Sequence, residues 1–406
     1  MTLPATPSSA ALARRFRPVF DRIAEGALQR ENDRALAYEA VGWLRQAGFG
    51  ALRVPVAAGG LGASVEQFFD LLVELGEADS NLPQVLRAHF GFIERLFAEV
   101  DPGLHGPWLR RAADGSIFGN ATTELGHGAL GTLQTTLRRE GSDWLLEGDK
   151  FYSTGTLYAD WIGVAAQRVT DDGAGERVLV LVPADSVGVE RLDDWRGFGQ
   201  RLSASGTTRF RGVRVDPAHV LPSARVGPTP MTAFFQLVHL ATLAGIARAI
   251  ERDAVAFVQA RKRVYSHGSG NTPREDPLVQ QLIGQLASAA FCASATVRAV
   301  AAGLGDIDRL RAAGEPVPEQ TLIDVELQMA KAQVVIGDAV LQSATRLFDV
   351  GGASALQEDL RLDRHWRNAR TLASHNPVIY KARVVGDHAL NGIDPTFYWT
   401  VGANAS

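Results

Sequence analysis

Residues 361–392, RLDRHWRNARTLASHNPVIYKARVVGDHALNG, hold three histidines (His365, His375, His388) and six cationic side chains. Arg364, Arg367 and Arg370 recur at every third position, so a helix would set them along one drifting stripe. The step Ser374-His375-Asn376-Pro377 predicts the end or a bend of that helix, because the residue before a proline avoids helical angles. A histidine just past a cationic helix is placed to meet a bound anion and to hold or return a proton. A solvated basic face with His375 as its cap fits the same spacing, and spacing alone leaves both readings open. His89 stands among Phe90, Phe92 and Leu96 in a helical pattern, where a lone histidine is commonly a satisfied core group. Cys292, the only cysteine, has apolar neighbours and reads as a buried small hydrophobe.

Other chemistries find no residues. There is no paired-histidine or cysteine-cluster motif for a metal, no Walker loop, and no GxGxxG after a strand for a nicotinamide cofactor. A formal charge of -4 gives no basic field for nucleic acid. With 46% hydrophobic and 21% charged residues the chain reads as a globular protein. One thiol excludes an internal disulfide and suggests a reducing compartment. No run is expected to cross a bilayer and no secretory signal is read at the N-terminus, so the expected location is cytoplasmic.

Three segments must position these groups. Residues 1–115 carry apolar positions at helical spacing, broken by the glycine loop VPVAAGGLGAS. Residues 116–222 alternate short β-rich runs with Gly, Asp and Pro turns, the pattern of a small antiparallel sheet or barrel. Residues 223–406 return to long helical stretches, roughly 229–265, 276–304, 318–349 and 355–373, whose lengths suit a four-helix bundle followed by an aromatic tail. The expected fold is therefore α+β and multidomain, with a ligand pocket where the three parts meet.

Four strings occur in this order: VPVAAGGLG, NATTELG, LEGDKFYSTGTLYADWIGVAAQ and FGQRLSASGTTRFRGVRVDPAHVL. Together they resemble the loop and strand motifs of the acyl-CoA dehydrogenase superfamily over nearly the whole chain. The resemblance implies an N-terminal helical domain, a central β domain and a C-terminal four-helix bundle. Dehydrogenases of that superfamily commonly carry a glutamate base near the chain end, and Asn376 stands there instead; asparagine does not take up a proton. The stretch 364–381 looks like the reduced-flavin monooxygenases of the same superfamily, the dibenzothiophene and methanesulfinate or dimethylsulfone type. That likeness implies reduced FMN from a separate NAD(P)H-dependent flavin reductase, with O2 activated as a flavin C4a-hydroperoxide that oxygenates a small organosulfur compound. It also implies a homo-oligomer, taken as a tetramer. An FAD-dependent acyl-CoA dehydrogenase, an N-hydroxylating monooxygenase and a catalytically silent flavin-fold scaffold are the alternatives.

The same resemblance assigns residues. His375 and Ser153 match catalytic positions near the reactive edge of the flavin, and His89 matches a histidine on the substrate-side helix, with core packing as its equal alternative. Asn120, Thr122 and Thr123 match the loop that bonds the pyrimidine edge of the flavin, Tyr152 the residue covering one flavin face, and Thr154 the contact to N5. Glu124 reads as structural. Arg261 and Arg263 match the block that reaches the flavin phosphate across a subunit interface. Gly351 and Gly352 match the Gly-Gly segment beside the cofactor tail. The usual Gly-Ser-Asp after the NATTELG loop is replaced by HGALGTLQ, which alters the substrate-side wall. The tail DPTFYWTVGANAS is expected to lie over an active site.

Overall fold

The computed structural model describes residues 6–98, 102–125, 133–169, 175–223 and 227–397. Five helices open the chain: α1 (Ser9–Asp33), α2 (Tyr38–Gln46), α3 (Val65–Ala78), α4 (Leu82–Ala98) and α5 (Pro102–Ala113). Local sequence sets their ends. The Ser8 hydroxyl caps α1 by accepting the Ala11 amide, and Ser64 with Gln67 forms a reciprocal capping box at α3. The short linker from α3 to α4 is held by Asp79, which accepts from Asn81 and pairs with Arg30 at 2.9 Å.

The middle of the chain forms one eight-stranded sheet of β1 (Phe118–Ala121), β2 (Thr136–Glu140), β3 (Asp143–Lys150), β4 (Trp161–Val169), β5 (Gly175–Pro183), β6 (Val189–Arg191), β7 (Thr208–Val215) and β8 (Val220–Pro222). Its order is β6-β7-β3-β2-β4-β5-β8, and β1 and β2 share one edge of β4. Both pair with β4 in parallel, so the sheet is mixed rather than wholly antiparallel. Leu137, Leu146, Ile162, Val164, Val180, Phe210 and Val213 form a core of its own on one face. Residues 126–132, most of the altered HGALGTLQ stretch, and the tail beyond Phe397 lie outside the described residues.

Helices α6 (Met231–Ala260), α7 (Pro277–Ala312) and α8 (Glu319–Arg346) make up most of the C-terminal part. The helix expected over 355–373 starts only at Asp363: residues 347–360 form short 3-10 turns, then α9 (Asp363–Ala373) and α10 (Val378–Asn391) share the fourth place in the bundle. Ser374 ends α9 and Pro377 opens α10. The N-terminal helices and this bundle share one apolar core, which runs from Phe16, Phe49 and Phe68 through Leu237 and Ile246 to Val340.

Two expectations change here. Helices α6 and α7 are each long and apolar enough to cross a membrane by length and composition. The most apolar window of α6 is 89% buried inside the protein, which accounts for its hydropathy as core, while that of α7 is only 33% buried. Cys292 is exposed, not buried, because its apolar neighbourhood is the outer face of α7, where Phe291 is also 74% exposed.

Candidate active site

The sheet contributes a turn and a loop. Lys150, at the end of β3, is fully buried; its ammonium pairs with Glu124 at 2.6 Å and donates to the Thr122 carbonyl. Burial pushes the Lys150 ammonium down and would push the Glu124 carboxyl up. Bonds from the Gln134 and Thr135 amides and from Lys150 reverse that for Glu124, which is held below the usual range. Glu124 is thus the structural clamp of the 120–125 loop. The Thr122 hydroxyl donates to Asn120 Oδ1 at 2.7 Å, and Thr123 bridges to Phe151. These contacts bring Asn120, Thr122 and Thr123 beside Tyr152, Ser153 and Thr154.

The turn carrying Ser153 is conformationally costly. Tyr152 has φ 54, and Gln200 and Ala204 in the facing loop have φ 52 each. Left-handed backbone at non-glycine residues persists only where surrounding contacts impose it. Those contacts are present: the Ser153 amide donates to Gly206 O, Gly155 N to Ser203 O, and hydroxyls run Thr154–Ser205–Ser203 at 2.8 Å each. Gly155, at φ +80, seats the turn on α4; a Cβ there would come 2.4 Å from the Val85 carbonyl. Ser153 is wholly buried, yet its Oγ has no partner, while Tyr152 stands 52% exposed over the turn.

Helices close the other side. The Asn368 side chain on α9 accepts the Gln200 amide at 2.6 Å and donates to Ser80 Oγ at 2.9 Å, tying α9 to the 200–206 loop and the start of α4. Two residues beyond α9 in its capping turn, the His375 ring lies 4.3 Å from that of His239 on α6, tilted 53°. His239 is buried with both ring nitrogens unpartnered. Burial holds it well below the ordinary imidazole range, and the positive charge of Arg87 on α4 adds to that. His375 is lowered by the same two causes, although the residue keeps an open surface, so its depression is the smaller in effect. Both rings are neutral at pH 7.

His89 goes to packing. It is fully buried, its Nε2 donates to the Gly50 carbonyl at 2.8 Å, and its Nδ1 accepts the Phe118 amide at 3.3 Å. Proton transfer to a ligand needs a free nitrogen, and His89 has none. Two of the three stripe arginines are likewise structural: Arg364, with His365, meets Asp253, and Arg367 pairs with Asp363 at 2.7 Å and Glu31 at 2.8 Å, while Arg370 is exposed. Arg261 and Arg263 follow the far end of α6, where Arg261 reaches toward Val350 O beside Gly351 and Gly352. Arg261 stands 22 residues beyond His239, about 33 Å along the axis. The four residues therefore lie at the end of α6 opposite His239. Two surface concavities, one along Arg248–Gln259 and one around Trp366 and Arg370, are not lined by Ser153, His239 or His375. Arg87 and His239 are the groups sequence reasoning passed over. A histidine and Gln236 inside the apolar run FFQLVHLATLAG were the available signal.

Residues 119–213 match the acyl-CoA dehydrogenase middle domain, and residues 237–379 match the acyl-CoA dehydrogenase C-terminal domain. The chain is 30% identical over 369 residues to the probable FMNH2-dependent monooxygenase SfnC of Pseudomonas putida, covering 87% of this chain and 89% of that protein. It is 27% identical over 369 residues to dibenzothiophene monooxygenase of Mycolicibacterium goodii, 86% of each being covered. The fold superimposes with a TM-score of 0.85 on methanesulfinate monooxygenase MsuC from Pseudomonas fluorescens, at 26% identity and with 94% of this chain and 97% of that one covered. FMN-bound TdsC from Paenibacillus sp. A11-2 also gives 0.85, at 27% identity, covering 93% and 97%. The chain belongs to the acyl-CoA dehydrogenase superfamily. Within it, the relatives and the solved structures together set it among the flavin-dependent monooxygenases.

Proposed function

We propose that this protein is an FMNH2-dependent monooxygenase of small organosulfur compounds, with Ser153 and His375 at the reacting edge of the flavin. The carrying observation is Ser153: a wholly buried hydroxyl with no partner, next to Tyr152, whose left-handed backbone is held by its neighbours. An orphaned buried hydroxyl costs about 1–3 kcal/mol unless a ligand completes it. Reduced FMN, when bound, supplies two of the four electrons that dioxygen needs to place one oxygen atom on sulfur and release the other as water. The residues fit that group. Ser153 donates to its reacting edge, Thr154 supports the same edge, and Asn120, Thr122 and Thr123 offer donors and acceptors to the pyrimidine side. Tyr152 covers one face and keeps water out. His375, neutral at pH 7, takes up and returns the proton that leaves with water.

Several wider features belong to the same reading. A separate NAD(P)H-dependent flavin reductase supplies the reduced cofactor. The protein is a homo-oligomer, a tetramer by analogy, whose packing covers exposed apolar side chains such as Phe291 on α7 and Ile379 and Tyr380 on α10. Arg261, Arg263, Gly351 and Gly352 then serve the phosphate end of a cofactor bound by another subunit. The reducing cytoplasm suits an exposed free thiol. The dehydrogenase alternative lacks its base: Asn376 occupies the expected place, and no carboxylate is among the charges acting on His239 or His375.

The test uses 18O2 with reduced FMN and a panel of sulfides, sulfones and sulfinates. One labelled oxygen atom in product per reduced FMN consumed is expected, and Ser153→Ala should lower that ratio about tenfold by releasing hydrogen peroxide instead. Reduction of bound FAD by an acyl-CoA, with no label incorporated, would refute the proposal.

A further inference from the structure

Arg87 is a cation without an anion. Its Nε donates to the Phe235 carbonyl at 3.1 Å and its guanidinium lies 4.9 Å from the centre of the Phe235 ring, but no carboxylate pairs with it among the described residues. Several other buried or half-buried basic groups are neutralised: Arg53 by Glu94 and Asp308, Lys150 by Glu124, Arg364 by Asp253, Lys381 by Glu326. Burial alone lowers the Arg87 guanidinium to about 10, with no acid opposing it. A half-buried cation left without an anion is costly, and a bound anion would relieve it.

What surrounds it points the same way. Its charge bears on both His239 and His375, which lie against each other. His239 has two unpartnered ring nitrogens, one of which carries a hydrogen when the ring is neutral. One turn earlier on α6, the buried Gln236 Nε2 is a further donor with no acceptor. A guanidinium fork, an imidazole N–H and an amide N–H make a donor set with one positive charge. Its complement is a small oxyanion with two or three acceptor oxygens.

We infer that Arg87, with His239 and Gln236, binds the oxyanion head of the substrate, and that this substrate is a short-chain alkanesulfinate. The inference rests on the monooxygenase reading for the word substrate, but not for the anion site. A sulfinate offers two oxygens to the donors and leaves the sulfur lone pair free to take the third. In the balanced reaction dioxygen receives two electrons from sulfur and two from reduced FMN. One oxygen atom stays on the sulfonate product, and the other leaves as water with the two hydrogens of the reduced flavin. A neutral fused aromatic sulfide would leave the Arg87 charge uncompensated, so the same residue selects against that class.

The first experiment needs no flavin. Binding of methanesulfonate to the full-length protein is measured by calorimetry against dimethyl sulfone, its neutral counterpart. Wild type should prefer the anion, Arg87→Met should weaken it by about 30-fold or more, and Arg87→Lys should recover part of the loss. In anion-free buffer Arg87→Met should melt higher than wild type, because it removes an unpaired charge; a purely structural arginine would give the opposite sign. The second experiment compares kcat/KM for methanesulfinate and dimethyl sulfide with reduced FMN and O2, where Arg87→Met should cut the ratio by a similar factor. Equal binding of methanesulfonate by wild type and Arg87→Met would overturn the inference, as would a wild-type preference for the sulfone. If the anion binds through Arg87 but neither sulfur compound gains oxygen, the anion site stands and the monooxygenase reading is the one that fails.

Discussion

The His89 imidazole uses both of its nitrogens inside the core, and this makes it a source of acid sensitivity. Burial, only partly offset by its bond to Gly50, holds its pKa at about 4. His365 is also at about 4, through burial and then the neighbouring Arg364 charge, against which Asp253 pulls upward. An unfolded histidine titrates near 6.5. Between those values the unfolded chain binds more protons, so the stabilisation is complete above about pH 6.5 and is lost as pH falls toward 4. Urea unfolding at pH 7 and pH 5 should therefore differ by about 1–2 kcal/mol for each such histidine. His89→Gln should flatten that dependence, and parallel pH profiles for the variant and wild type would count against this account. Arg87 sits two residues before His89, on another side of the same helix, and the two meet different worlds. His89 stands out through its match to a substrate-side histidine of the resembled family, with core packing as the equal alternative. Nothing local in the sequence sets Arg87 apart, and only the elements across from it, α6 and the His375 turn, do so.

Between residue and molecule, the 195–207 loop and α9 hold the Ser153 turn in place. Gly199 lets them touch: a Cβ there would fall 2.1 Å from the Arg367 carbonyl. Asn368 then closes the contact through its two bonds to Gln200 and Ser80. Replacing Asn368 with alanine leaves the buried Gln200 amide without an acceptor, at a cost of about 1–3 kcal/mol. Since Gln200 and Ala204 hold left-handed backbone beside Ser153, the loosened loop should shift the turn as well. Asn368→Ala is expected to raise hydrogen peroxide release per reduced FMN consumed while changing substrate KM little. A variant that is destabilised but fully coupled would confine Asn368 to stability. The motif order around FGQRLSASG was legible in the sequence, and so was the break at Ser374–Pro377. That two non-glycine residues of the motif adopt left-handed angles was not, because nothing local favours it; tertiary contacts impose it. The arginine stripe of α9 failed as a ligand reading for a related reason. Its partners Asp253 and Glu31 come from α6 and α1, far away in the chain.

At the scale of the whole molecule, the residues proposed for the flavin site divide into two groups at opposite ends of α6. Ser153 and Thr154 with the 120–125 loop sit where the sheet meets α4, His375 lies against His239 on α6, and Arg261 with Gly351 and Gly352 gathers at the opposite end of α6. The separation along that helix exceeds the length of a flavin mononucleotide. If each cofactor is held by the first group of one subunit and the second group of another, inactive variants should complement each other. In a mixed pair of Ser153→Ala and Arg261→Ala chains, one site carries both substitutions and the other carries neither. Co-refolding or co-expressing the two variants should restore roughly a quarter of wild-type activity, since about half of the random pairs are mixed and each has one intact site. FMN affinity should fall in Arg261→Ala alone and recover in half of the sites of the mixed pair. Without subunit sharing, each chain would carry its own defect into every site and mixing would restore nothing, which makes this the test that separates an oligomer needed for the chemistry from one that merely covers the apolar faces of α7 and α10.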